Sequence, residues 1–134
     1  MGTWSGDPFG NDSAVDWTDQ LGDATDWSGV REALQDIVDT DDYIDAEVSS
    51  IAIAAVAVVA YGLGFTAVTG VPDAAAGFVA RVGPPPTALR PLAFSALAAA
   101  TSPVTELAEL WMEGGSADWD TANAQLEAFL GGPY

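Results

Sequence analysis

Asp39, Asp41, Asp42, Asp45 and Glu47 form the densest carboxylate cluster in the chain, and carboxylates are most of what it offers for chemistry. Asp39, Asp41, Tyr43, Asp45 and Glu47, taken at every second position, loosely follow the ligand spacing of a calcium loop. The sixth position is Ile44, where the sharp turn of such a loop needs glycine, and the twelfth is Ser50, where it needs a bidentate glutamate. The stretch therefore reads as a solvated junction between helices, and no metal is assigned to it. Paired carboxylates can also cleave glycosidic bonds when held at a set separation in a sugar-binding cleft. With 20 acids scattered over 134 residues, no pair stands out for that work.

Histidine, cysteine and lysine are absent altogether. Their absence removes the commonest general base, the thiol nucleophile, the Schiff-base amine and the softest metal ligands. A serine or threonine hydroxyl has no histidine or lysine to activate it. No phosphate-cradling glycine loop accompanies Arg31, Arg81 and Arg90. The residues thus predict no catalytic site, no cofactor and a non-enzymatic protein. The arginines are expected in structural ion pairs, Arg31 with Asp26 for example, because the i+4 position is Gln35. Zero cysteine fits a reducing compartment, and Met1-Gly2-Thr3-Trp4 is not the basic-then-apolar start of a secretion signal. A cytoplasmic location is the expectation.

The formal net charge of −17 is unevenly spread. Residues 1–47 carry 13 carboxylates and one arginine, residues 48–105 only Asp73 with Arg81 and Arg90, and residues 106–134 six carboxylates and no base. Two acidic arms flank an apolar middle. Such a field repels nucleic acids and anionic membranes, which need clustered Lys and Arg, and it favours a basic protein partner. Asp36, Asp39, Asp41, Asp42 and Asp45 are the candidate contacts. Trp27 joins them, since it falls in a link between helices where an exposed indole anchors interfaces. The other tryptophans, Trp4, Trp17, Trp111 and Trp119, are expected in the core.

Hydrophobic spacing predicts an all-α fold, a compact bundle of about five to seven helices around a central apolar helix. Residues 1–134 read as one helical domain, with 1–11 a structured loop and 12–134 the bundle. The first helix starts near Asp12 or Ser13 and carries Ala14, Trp17 and Leu21 before Gly22. The second follows Ser28, with Val30, Ala33, Leu34, Ile37 and Val38 on one stripe. From 48 to 72 no residue is charged, and Ile51, Ile53, Val56, Val58, Val59 and Tyr61 cover every face. That run is either a central core helix or a membrane span. Its alanines, Gly62, Gly64 and the missing interfacial anchors favour the core helix. Asp73 is expected to cap a short helix, and Gly83-Pro84-Pro85-Pro86 to form a stiff connector. Pro91 is expected to open the next helix, with Leu92, Ala93, Ala96, Leu97 and Ala100 inward. Ser102-Pro103 repeats the start signal for Val104, Leu107, Leu110 and Trp111. Ser116 opens the last helix, which buries Trp119, Ala122, Leu126, Phe129 and Leu130.

The opening Met1-Gly2-Thr3-Trp4-Ser5-Gly6-Asp7-Pro8-Phe9-Gly10-Asn11-Asp12 resembles the start of the bacterial family called domain of unknown function 4259. That family typically begins Met-Gly-x-Trp-Gly-x-Gly-Pro-Phe-x-Asn-Asp, followed by a helix with Ala and Asp-Phe or Asp-Trp, here Ala14 and Asp16-Trp17. The matching signature residues are Trp4, Pro8, Phe9, Asn11, Asp12 and Trp17, with Trp111 downstream in Glu106-Leu107-Ala108-Glu109-Leu110-Trp111. Val30-Arg31-Glu32-Ala33-Leu34 also looks like family positions, so the likeness spans nearly the whole chain. Ser5 and Asp7 depart from it by replacing glycines, and the run 48–72 is more apolar than the likeness implies. The resemblance implies a small, acidic, helical, single-domain protein without an assigned activity.

Three functional readings follow from these residues. The first is an acidic binding protein, such as an immunity-type inhibitor of a cationic toxin or nuclease. The second is a structural or salt-tolerant domain whose charge serves solubility, which suits 14 Asp against 6 Glu and no lysine. The third anchors the protein in a membrane through 48–72.

Overall fold

A computed structural model describes residues 12–40, 43–65, 71–102, 105–114 and 117–131, with 111, 113, 114, 117 and 118 placed along the backbone alone. Seven α-helices run through the described residues: α1 (Asp12–Asp19), α2 (Ser28–Val38), α3 (Ala46–Gly62), α4 (Asp73–Val82), α5 (Leu89–Ala100), α6 (Glu106–Gly114) and α7 (Ala117–Gly131). A short 3-10 turn, Gln20–Asp23, extends α1. No strand occurs among the described residues, so the fold is an all-α bundle.

Helix α3, which carries no charge after Glu47 in its first turn, is its axis. Every residue from Ala52 to Ala60 is buried, which few helices of this length achieve without a charge-free sequence. Its alanines let neighbours approach closely, and α5 answers with Ala93, Ala96 and Ala100. The large side chains come from the coat: Val30, Leu34 and Ile37 of α2, Phe78 of α4, Leu97 of α5 and Leu126 of α7 are all essentially inaccessible. Each such side chain contributes roughly 1.5–3 kcal/mol on burial, so the coat supplies more than the alanines it covers.

Both ends of α3 are satisfied. Asp45 is its N-cap and accepts from the Val48 N–H at 3.2 Å. Glu106, from the start of α6, accepts from the Ala46 N–H at 2.7 Å. At the other end Gly64 takes φ +98°, its N–H donates to Tyr61 O, and the Phe65 N–H donates to Ala60 O. Those two bonds make a Schellman closure, for which a left-handed glycine is suited. Gly64 therefore ends the helix rather than interrupting it. No helix among the described residues is long and apolar enough to cross a membrane, which removes the support for a span within α3. Residues 66–70 of the apolar run lie outside the described residues.

Several helix starts differ from the expectation by a few residues. Pro72 rather than Asp73 is the N-cap of α4, and its carbonyl accepts from the Ala75 and Ala76 N–H groups. Helix α5 begins at Leu89, so Pro91 is its third residue. Proline is tolerated there because the first-turn N–H groups have no intrahelical acceptor. Thr105, not Ser102, caps α6: its Oγ1 accepts from the Ala108 N–H at 3.2 Å. Pro103, Val104 and Ser116 lie outside the described residues. Val38 and Leu110, expected inward, are 37% and 43% exposed. Helix α7 buries Trp119, Leu126 and Leu130, with Asn123 in the same stripe and Ala122 and Phe129 half-buried.

Trp27 belongs to this packing and not to a partner surface. It is 6% exposed, and its Nε1–H donates to the Gly83 carbonyl at 3.2 Å. Its ring meets Phe78 edge-on with centroids 4.8 Å apart, a favourable quadrupole arrangement. A link between helices can thus be buried when its aromatic plugs a helix crossing. Gly62 makes the plug possible, since a Cβ there would lie 2.9 Å from Pro85 Cδ and 3.0 Å from Trp27 Cη2.

Two measurements by chemical denaturation check this core. Val56→Asp buries an unpaired charge and is expected to cost on the order of 5 kcal/mol, comparable with the stability of a whole domain. A folded Val56→Asp protein would mean the axis is misplaced. Gly62→Ala is expected to destabilise by about 1–3 kcal/mol through overpacking against Trp27 and Pro85. Gly77→Ala, in the body of α4 with open space around it, is expected to stabilise by about 0.5–1 kcal/mol.

Candidate functional site

The acidic residues singled out in the sequence do not converge. Asp36 is exposed on α2. Asp39 sits at the end of α2 and accepts from Gln35 Nε2 at 3.0 Å. Asp45 is committed to capping α3. Asp41 and Asp42 lie outside the described residues. No group of three acids among the described residues is arranged to hold a metal ion.

What the structure does assemble is a cleft where α1, its 3-10 extension and α2 meet the first turns of α3. Its volume is about 560 Å³, within the ~300–1,000 Å³ range of ligand pockets. Leu21, Ala33, Val48 and Ile51 provide an apolar lining, Trp17 and Gln20 contribute from the α1 side, and Glu32, Asp36 and Thr40 from the α2 side. Glu32 and Asp36 are both exposed and stand one turn apart on the same helical face. Like charges at that spacing repel by about 0.2–0.5 kcal/mol, a cost that a bound cation would relieve. The cleft can therefore take an apolar group with a positive end.

Of the signature residues, Trp17 is half-buried and lines the cleft, a departure from the expected core position. Asp12 is exposed in the first turn of α1. Trp4, Pro8, Phe9 and Asn11 lie outside the described residues, and Trp111 is placed in α6 by its backbone alone. Glu32 and Gln20 were not picked out from the sequence. The i, i+4 pairing of Glu32 with Asp36, beside the apolar stripe of α2, was the available signal for the first. Nothing local marks Gln20.

Arg81 and Arg90, expected in ion pairs, each donate to backbone carbonyls. Arg81 donates to the carbonyls of Leu21 and Ala24 at 3.0 and 2.7 Å, tying α4 to the 3-10 turn behind the cleft. Arg90 is 8% exposed, lies over the Phe129 ring, and donates to the carbonyls of Leu130 and Phe129 at the end of α7. A cation there suits the negative end of the helix dipole. Asp26 accepts from Ser28 Oγ at 2.6 Å and from the Ser28 N–H at 3.0 Å, bonds that hold its carboxyl below the usual value. It serves the start of α2 rather than Arg31.

A second acidic contact joins residues 43–46 to α6. The Tyr43 hydroxyl donates to the Glu109 carboxylate, and the Glu106 N–H donates to Ile44 O at 2.9 Å. With the Glu106–Ala46 bond, these contacts fix the entry of α3 against α6. The acceptor carboxylate pushes the Tyr43 phenol up to about 12, with the nearby negative charge acting in the same sense.

A family model for a domain of unknown function, DUF4259, matches residues 2–122, and the chain belongs to that family. Neither a curated protein nor a solved structure matches it.

The Tyr43 contact makes a pH prediction. The folded state binds the phenolic proton more tightly than the unfolded chain, so this contribution is complete below pH 10.0 and is lost as pH rises toward about 12. The difference in tyrosinate absorbance between the parent protein and Tyr43→Phe is expected to develop near pH 12 while the helical signal persists. A difference centred near pH 10.0 would show that Glu109 does not hold the hydroxyl in solution.

Proposed function

We propose that this member of the DUF4259 family is a non-enzymatic binding protein that engages a basic protein, in the manner of an immunity-type inhibitor of a cationic toxin or nuclease. The observation that carries the reading is the cleft, in which Glu32 and Asp36 stand over an apolar lining with no basic residue among the described ones. The net charge of −17 supports it, because a strong negative field accelerates encounter with a positive surface. The residue inventory supports the absence of catalysis: no histidine, cysteine or lysine is available to activate a hydroxyl or water. Zero cysteine suits work in the reducing cytosol.

Affinity capture from the native lysate tests this reading. The immobilised domain is expected to retain a basic protein at low salt and to release it as salt shortens the range of the field to about 3 Å near 1 M. Retention of no basic protein at low salt would contradict it. Stability that climbs steeply with salt, with no partner captured, would favour the salt-tolerant structural domain instead.

A further inference from the structure

We propose that the cleft receives an arginine side chain of the basic partner, an inference that rests on the binding role just given. Three observations converge on it. The first is an internal shortage of positive charge at the site. Arg31 precedes Glu32 in sequence but lines a different groove, of about 350 Å³, beside Leu89 and Pro91. Arg81 donates to the carbonyls of Leu21 and Ala24, two lining residues, and does not itself line the cleft. None of the chain's three arginines is among the residues that line the cleft. Among the described residues no cation lines the cleft with Glu32 and Asp36, which leaves that place for one from another molecule.

The second observation is the wall. Trp17, half-buried, lines the same cleft as Glu32 and Asp36. A guanidinium is planar and weakly hydrated, stacks on an indole face, and offers its donors in a rigid fork that matches a carboxylate. An ammonium is a compact, strongly hydrated point charge and gains less from the same walls. The third is the lining. Leu21, Val48 and Ile51 match the methylene stem that arginine buries while its head stays at the wet rim. At about 560 Å³ the opening also admits the residues flanking that arginine, which commits the occupant to a polypeptide rather than a free small cation.

The blocked tripeptide acetyl-Leu-Arg-Leu-amide, its lysine counterpart and free 4-aminobutylguanidine are the probes, titrated into the intact domain and followed by backbone amide NMR. The arginine peptide is expected to shift the amides of Gln20, Glu32, Ala33 and Asp36, and to bind about threefold or more tighter than the lysine peptide. The double variant Glu32→Gln/Asp36→Asn is expected to lose about tenfold in affinity while keeping the parent melting curve. Glu127→Gln, an exposed acid on α7, is expected to bind like the parent. Equal affinity for the two peptides would overturn the arginine preference. Equal affinity for the free guanidine would overturn a partner side chain as the source. Failure of every probe, or unchanged binding by the double variant, would overturn the cleft as the site. A basic protein still captured by that variant would leave the broader binding role standing.

Discussion

The structure depends on covering α3 on all sides. A helix whose residues from Ala52 to Ala60 are all inaccessible has no face to offer water, so its neighbours must form a closed coat. Its small side chains set the terms, because alanine gains little from burial and relies on close approach of larger partners. The coat is correspondingly asymmetric, with leucine, isoleucine and phenylalanine supplied from α2, α4, α5 and α7. Charge is forced outward by the same demand, since an unpaired carboxylate against α3 would cost more than any single packing contact returns.

At both ends of this axis polar groups satisfy the backbone. Asp45 and Glu106 satisfy first-turn N–H groups of α3, and Gly64 closes its last turn. Arg90 performs the reciprocal service for the carbonyl end of α7. Two of the chain's three arginines are thereby held by backbone carbonyls within the fold. The acidic surface is left with little internal compensation, and the cleft over Val48 and Ile51 is where that surface meets half-buried apolar lining. The proposed binding role is a consequence of how the core is built.

Much of this architecture was legible in the residues. The charge-free run identified the axis, and Val30, Leu34 and Ile37 identified the buried face of α2. Helix starts were less legible because several side chains compete for one cap. Thr105 lies closer to the first turn of α6 than Ser102, and the Pro72 carbonyl does the work assigned to Asp73. Trp27 was misread because a link between helices looks solvent-facing in one dimension. Its burial depends on Phe78, Gly62 and Gly83, all more than 30 residues away. The cleft was hidden for the same reason: it joins Trp17, Glu32 and Val48 across three elements, and no local pattern encodes that meeting.

Amide hydrogen exchange along α3 tests the central claim most directly. Residues 54–59 lie at the middle of the axis, so their amides are predicted to exchange only through global unfolding and to share the highest protection in the molecule. Exchange of those amides as fast as that of the outer helices α1 and α6 would contradict a bundle built around α3.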